Sequence, residues 1–288
     1  MQDDLARCKA AVAACLETAL APLGSMPVEE GMRYALNGGK RLRAFLVMEG
    51  ATLHGVPPEH SVWAAAAIEA LHAYSLVHDD LPCMDDDDLR RGQPTVHKRW
   101  DEATAVLVGD ALQSLAFELL TRPEMVVSSQ IRVELIASLA KSSGVQGMVL
   151  GQAQDIAAET SKTPLGLAQI TELQGHKTGA LIEWSACAGA ILGGADPASL
   201  RAYAKALGLA FQIHDDILDV EGDVAKTGKA VGKDADAGKA TFVSLLGLDE
   251  AKARAERLVE QACAALSPYG SRAEPLRDLA RFVISRET

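Results

Sequence analysis

The chain has 288 residues, 48% of them hydrophobic and 23% charged, with a formal net charge of −11. That is globular rather than disordered composition, and long enough to bury a sizeable core without staples. The acidic balance argues against a surface built to grip nucleic-acid phosphates. Five cysteines, none in a Cys-x-x-Cys pair, argue against a disulfide framework or a zinc knuckle and fit a reducing, cytoplasmic compartment.

The N-terminus opens Met1-Gln2-Asp3-Asp4, acidic where a secretory signal would be basic. The apolar stretch Leu5–Leu20 is interrupted by Arg7, Lys9 and Glu17, so it reads as an amphipathic helix. Alanine and leucine dominate the chain, and only 4% of it is aromatic, which favours helix over strand. Helices are predicted at about Asp4–Leu20, Val28–Leu36, Leu42–Leu53, Glu59–Val77, Ala103–Leu119 and Ser128–Ala140. Further helices are predicted at about Val145–Glu159, Leu165–Ile191, Pro197–Val220, Asp249–Ala265 and Glu274–Ile284. Glycine and proline breakers separate them, and the glycine- and lysine-rich stretch Gly222–Lys239 reads as the longest loop. No segment reaches the roughly 20 apolar residues of a membrane span. No alternating run argues for a strand and no linker divides the chain, so the expected fold is all-α, a single domain over residues 1–288.

Two acidic clusters stand out. The first, His78-Asp79-Asp80-Leu81-Pro82-Cys83-Met84-Asp85-Asp86-Asp87-Asp88, begins where the apolar helix Glu59–Val77 ends. Pro82 forces the chain out of regular helix. Two like charges 4 Å apart repel by about 4 kcal/mol at an effective dielectric of about 20, so such a cluster calls for counter-charge. Carboxylate oxygens suit Mg²⁺, which is usually held by a few carboxylates together with substrate phosphates. Arg90-Arg91 follow at once and suit phosphate oxygens. The second cluster is Phe211-Gln212-Ile213-His214-Asp215-Asp216-Ile217-Leu218-Asp219, where Asp215 and Asp219 share one helix face. Facing one another across a bundle, the clusters could hold several ions. His78 and His214 each precede an aspartate pair; a hydrogen-bonded structural role fits them better than metal ligation.

Cations complete the pattern. Lys40, Arg41 and Arg43 follow the Gly38-Gly39 break at a helix start, a setting that suits phosphate. Lys177-Thr178 sits within an otherwise apolar helix, and Lys229, Lys233 and Lys239 lie in the glycine-rich loop, where closure over an anion is feasible. Carboxylates, Mg²⁺ and separated cations together imply a diphosphate substrate.

In their order these motifs resemble the short-chain trans-prenyl diphosphate synthases. Asp79-Asp80-x-x-x-x-Asp85 with Arg90-Arg91-Gly92 is similar to that family's first aspartate-rich motif in its bacterial form, and Asp215-Asp216-x-x-Asp219 to its second. Gly38-Gly39-Lys40-Arg41-Leu42-Arg43, Gly151-Gln152-x-x-Asp155, His176-Lys177-Thr178-Gly179 and Thr227-Gly228-Lys229 extend the likeness over nearly the whole chain, with the farnesyl-forming bacterial members nearest.

The resemblance implies a helical bundle around a deep apolar pocket, a homodimer, and two or three Mg²⁺ ions held by Asp79, Asp85 and Asp215, with Asp80, Asp216 and Asp219 near. It implies that Arg90, Lys177, Gln212, Lys229 and Lys239 hold an allylic diphosphate. Isopentenyl diphosphate would lie on Lys40, Arg43, His72 and Arg91, and Thr178 and Gln212 would face the developing carbocation. Tyr74 and Ser75, five and four residues before Asp79, would form the pocket floor, an aromatic there favouring farnesyl over geranylgeranyl product. A terpene cyclase would not need the Lys40, Arg43 and Arg91 set, and a non-catalytic partner subunit would have lost acidic or basic residues that this chain keeps.

Overall fold

The computed structural model describes residues 1–161, 163–221 and 240–286. The helices, in chain order, are α1 (Gln2–Leu20), α2 (Pro27–Ala35), α3 (Leu42–Leu53), α4 (Pro58–Asp79), α5 (Val96–Arg99), α6 (Glu102–Leu119) and α7 (Ser129–Ser143). They continue as α8 (Met148–Glu159), α9 (Leu167–Gln174), α10 (Ala180–Leu192), α11 (Ala198–Glu221), α12 (Phe242–Leu246), α13 (Leu248–Ala265) and α14 (Glu274–Ser285). The fold is all-α, as expected. Among the described residues the sole sheet is a two-residue antiparallel pair, β1 (Leu89–Arg90) with β2 (Gln93–Pro94).

Local chemistry sets the helix starts. Prolines occupy the first turn of α2 and α4, where their missing N–H is not needed. Asp101 caps α6 by accepting from Thr104 N at 2.7 Å, and Ser128 caps α7 through Ile131 N. Helix α4 has no polar face over Ala64–Ala67, all fully buried, because it runs through the middle of the bundle between α3 and α6. Helices α3 and α10 cross in close contact at Gly50 and Gly189. A Cβ on Gly189 would overlap the backbone of Gly50 and Ala51.

Two predicted elements differ. The expected single helix Leu165–Ile191 is three pieces: α9 ends at Gln174, a π-helical turn follows over Gly175–Gly179, and α10 resumes at Ala180. Apolar periodicity cannot detect that turn, because it shifts the register without interrupting the hydrophobic pattern. Val145 lies outside α8, which begins only at Met148. The predicted loop Gly222–Lys239 lies outside the described residues.

Candidate active site

The first acidic cluster is shaped by the end of α4. The helix carries Asp79 as its last residue, and Pro82 turns the chain away. Asp85 N then donates back to the Asp79 carbonyl at 2.8 Å, and Asp86 N to that of Leu81 at 3.1 Å. This curl places Asp79 and Asp85 side by side on one wall of a cavity of about 1990 Å³. The β1–β2 hairpin follows, with Arg91 and Gly92 both left-handed at its turn (φ 54° and 73°). The hairpin points Arg90 back onto Asp80, whose Oδ1 accepts from Arg90 Nε at 2.9 Å, and towards Asp87 at 3.5 Å. It points Arg91 the other way, where it donates to the Asn37 carbonyl at 3.3 Å. Gly39 leaves room for this guanidinium: a Cβ there would sit 2.9 Å from it.

The opposite end of the first wall is basic. Arg41 adopts a left-handed φ of 56° before α3 and forms a buried ion pair with Glu69 of α4 at 3.0 Å. The other Glu69 oxygen accepts from Ala44 N at 3.0 Å, fixing the start of α3. Arg43 lies half-buried beside them, its buried Nε without a hydrogen-bond partner among the described residues. His72 borders the same space. Burial, then the nearby Arg43, Arg91, Arg90 and Arg41, holds its pKa well below the usual histidine value, so the ring is neutral. Four guanidiniums against the buried carboxylates Glu69 and Asp80 leave this end of the cavity basic.

The far wall comes from the π-turn and α11. A Cβ on Gly151 of α8 would overlap the Lys177 backbone, so glycine is what lets α8 approach the turn. Lys177 then reaches across to Asp155 of α8 at 2.6 Å. Helix α11 contributes Phe211, Gln212, Asp215, Asp216 and Asp219 to the cavity. Asp215 pairs with Arg286, whose guanidinium stacks 4.0 Å over the Phe211 ring. Asp216 Oδ2 accepts from Phe242 N at 2.6 Å, anchoring the start of α12.

Of the expected site residues within the described regions, Asp79, Asp85, Asp215, Asp216, Asp219, Arg90, Arg91, Lys40, Arg43, His72, Lys177, Thr178, Gln212, Tyr74 and Ser75 border this cavity, while Asp80 is buried behind it against Arg90. Lys229 and Lys239 lie outside the described residues. His78 Nε2 meets the Val106 carbonyl at 3.0 Å and His214 Nε2 the Arg286 carbonyl at 3.0 Å, the hydrogen-bonded roles expected for both. Burial pushes Asp79 up to about 6, with Lys177 acting against it and Asp85 adding to it. A carboxyl so placed gains from a nearby cation. The donor set is all hard oxygen, which fits Mg²⁺. Among the described residues, however, no three acidic, histidine or cysteine groups converge on one metal point. An ion held there would need further oxygen ligands, such as phosphate or water.

Three contributors went unassigned in the sequence. Asp155 stood in the quoted Gly151-Gln152-x-x-Asp155 stretch without a role, and its pairing with Lys177 emerges only in the structure. Glu69 reads as one charge in an apolar helix, which already marks it as needing a partner. Arg286, alone beyond α14, gives no local signal.

Residues 26–268 match the Polyprenyl synthetase family. A farnesyl diphosphate synthase from Haemophilus influenzae is 47% identical over 273 residues, covering 91% of this chain and 90% of that protein. A chloroplastic geranylgeranyl pyrophosphate synthase from Catharanthus roseus is 42% identical, over 94% of this chain and 77% of that one. The apo crystal structure of an FPP/GFPP synthase from Zymomonas mobilis is similar with a TM-score of 0.89 and 46% identity, covering 98% of each chain. No helix among the described residues is long and apolar enough to cross a membrane. A bundle that turns two acidic clusters and a basic rim onto one cavity, together with these matches over nearly its whole length, makes this chain a prenyltransferase of the polyprenyl synthetase family.

Proposed function

We propose that the chain condenses isopentenyl diphosphate with dimethylallyl or geranyl diphosphate, with Mg²⁺, to give (E,E)-farnesyl diphosphate. The observation that carries this is the polarity of the cavity. One cavity is bordered by Asp79, Asp85, Asp215, Arg90 and Lys177, by Lys40, Arg43, His72 and Arg91, and by Tyr74. Carboxylates and two groups of cations on one cavity support a reading with two diphosphates and one growing hydrocarbon.

Asp79, Asp85 and Asp215 are the groups to hold Mg²⁺, with Asp80, Asp216 and Asp219 close by. When bound, the ions supply Lewis-acid stabilisation of charge on the departing pyrophosphate. Arg90 and Lys177 take the allylic diphosphate and stabilise the same growing charge as the allylic C–O bond breaks. Asp155 aims Lys177 at that position. Thr178 and Gln212 turn their oxygens to the allylic cation, and the apolar walls keep water from it. Arg43, Arg91, Lys40 and His72 hold isopentenyl diphosphate so that its double bond supplies the electron pair of the new C–C bond. The proton then lost passes to the bound pyrophosphate, so no protein nucleophile is required. Lys229 and Lys239, outside the described residues, are assigned to the allylic diphosphate by the resemblance alone. We also read the chain as one domain and a homodimer, and as cytoplasmic from its cysteine usage.

The test is a product assay on the purified chain with isopentenyl diphosphate and dimethylallyl or geranyl diphosphate. Farnesyl diphosphate that disappears on adding EDTA is the expected result. Geranylgeranyl product would keep the chemistry and remove Tyr74 as the floor. No condensation with any primer would overturn the reading.

A further inference from the structure

Tyr74 and His78 lie one turn apart on α4, so their side chains meet on one face. The rings pack edge to face, with centroids 5.2 Å apart and planes at 85°. His78 is itself fixed from α6. Its Nε2 lies 3.0 Å from the Val106 carbonyl, and a carbonyl only accepts, so Nε2 carries the proton. The ring fits a notch left by Gly109, where any Cβ would overlap it. The Tyr74 hydroxyl meets the Gln113 side chain one turn further along α6. Tyr74 is therefore held at its edge by a ring that α6 keeps in place, and it borders the cavity from that position. An exposed aromatic beside an empty channel could swing aside. This one has a backstop.

We propose that His78 is a positioning residue for product length: seated on the Val106 carbonyl in the Gly109 notch, it holds the Tyr74 ring across the channel that a longer prenyl chain would need. The proposal rests on the reading of Tyr74 as the floor. His78 touches no reacting atom in this role, and it acts only through the tyrosine. An edge-to-face ring pair biases one ring position over another by roughly 2- to 10-fold. His78→Ala is expected to raise the ratio of geranylgeranyl to farnesyl product by about that factor, and Tyr74→Ala by more.

The experiment measures this ratio, under matched turnover, for Y74A, H78A, G109A and the double variant Y74A/H78A. G109A drives the His78 ring from its notch while leaving the histidine in the chain, so it serves should H78A fold poorly. General damage lowers the rate; it does not lengthen the product. A raised ratio in Y74A, H78A and G109A, with H78A adding nothing in the Y74A background, supports the proposal. Lengthening in Y74A alone would refute it and leave the floor reading standing. A further rise on adding H78A to Y74A would also refute it, because His78 would then act independently of the ring. No lengthening in Y74A would remove the floor reading and the positioning role together.

Discussion

At the scale of single residues, the basic rim gathers like charge around Glu69. Arg41 pairs with Glu69, Arg43 and Arg91 lie in its field, and burial lowers the pKa of Arg43 as well as of His72. The energy of gathering these groups is spent during folding, so an arriving diphosphate meets donors that need no rearrangement. His72 gives this a measurable sign. Its folded pKa is depressed below the ordinary 6.5, so the unfolded chain binds a proton that the folded chain refuses. Stability is therefore lost as pH falls below 6.5. Thermal midpoints of the parent and His72→Gln should diverge between about pH 7.5 and about pH 5.5, the parent losing on the order of 1 kcal/mol more. Parallel curves would mean that His72 titrates like a solvent-exposed imidazole.

At the scale of elements, the site depends on places where helices come unusually close. Gly151 sets how near α8 lies to the π-turn, and so whether Lys177 and Asp155 can pair. Gly151→Ala would press a methyl group into the Lys177 backbone, which cannot yield as a flexible side chain would. Overpacking of this kind typically costs about 1–3 kcal/mol. The expected variant melts at a lower temperature and shows a kcat loss beyond what its unfolded fraction explains, because Lys177 and Thr178 move with the turn. Calorimetry beside steady-state kinetics separates the two effects; a lowered melting point with unchanged kcat would detach the turn from turnover. The same elements show what periodicity could convey. The helix faces of α4 and α11 were legible, and so were the aspartates at their ends. The π-turn was not, since nothing in Gln174-Gly175-His176-Lys177 marks a change of hydrogen-bond register.

At the scale of the molecule, the two acidic clusters lie about 135 residues apart in sequence and border one cavity. Each is partly compensated within the protein: Asp80 by Arg90, Asp215 by Arg286, and Asp216 by the Phe242 amide. On the proposed reading, these carboxylates bind an ion well only when phosphate completes the coordination, and phosphate enters well only with an ion. Mg²⁺ and pyrophosphate should therefore stabilise the fold together far more than either alone. At free ligand near 100 times Kd the gain is about 2.7 kcal/mol, visible as a raised Tm that EDTA reverses. Equal shifts from pyrophosphate with and without Mg²⁺ would assign the anion to the arginines alone.

The sequence by itself determined the helical class, most helix boundaries and the chemistry gathered at the ends of two apolar helices. Those features depend on neighbours within a turn or two, where composition, breakers and i, i+4 spacing act directly. Tertiary structure alone decided which distant groups meet: Arg286 on Asp215, Asp155 on Lys177, Glu69 on Arg41, and His78 in the notch of Gly109. Each of these pairs joins segments far apart or packed from different helices. Their contact follows from how close glycines allow helices to approach and from the need of every buried charge for a partner, and neither condition is written in local spacing.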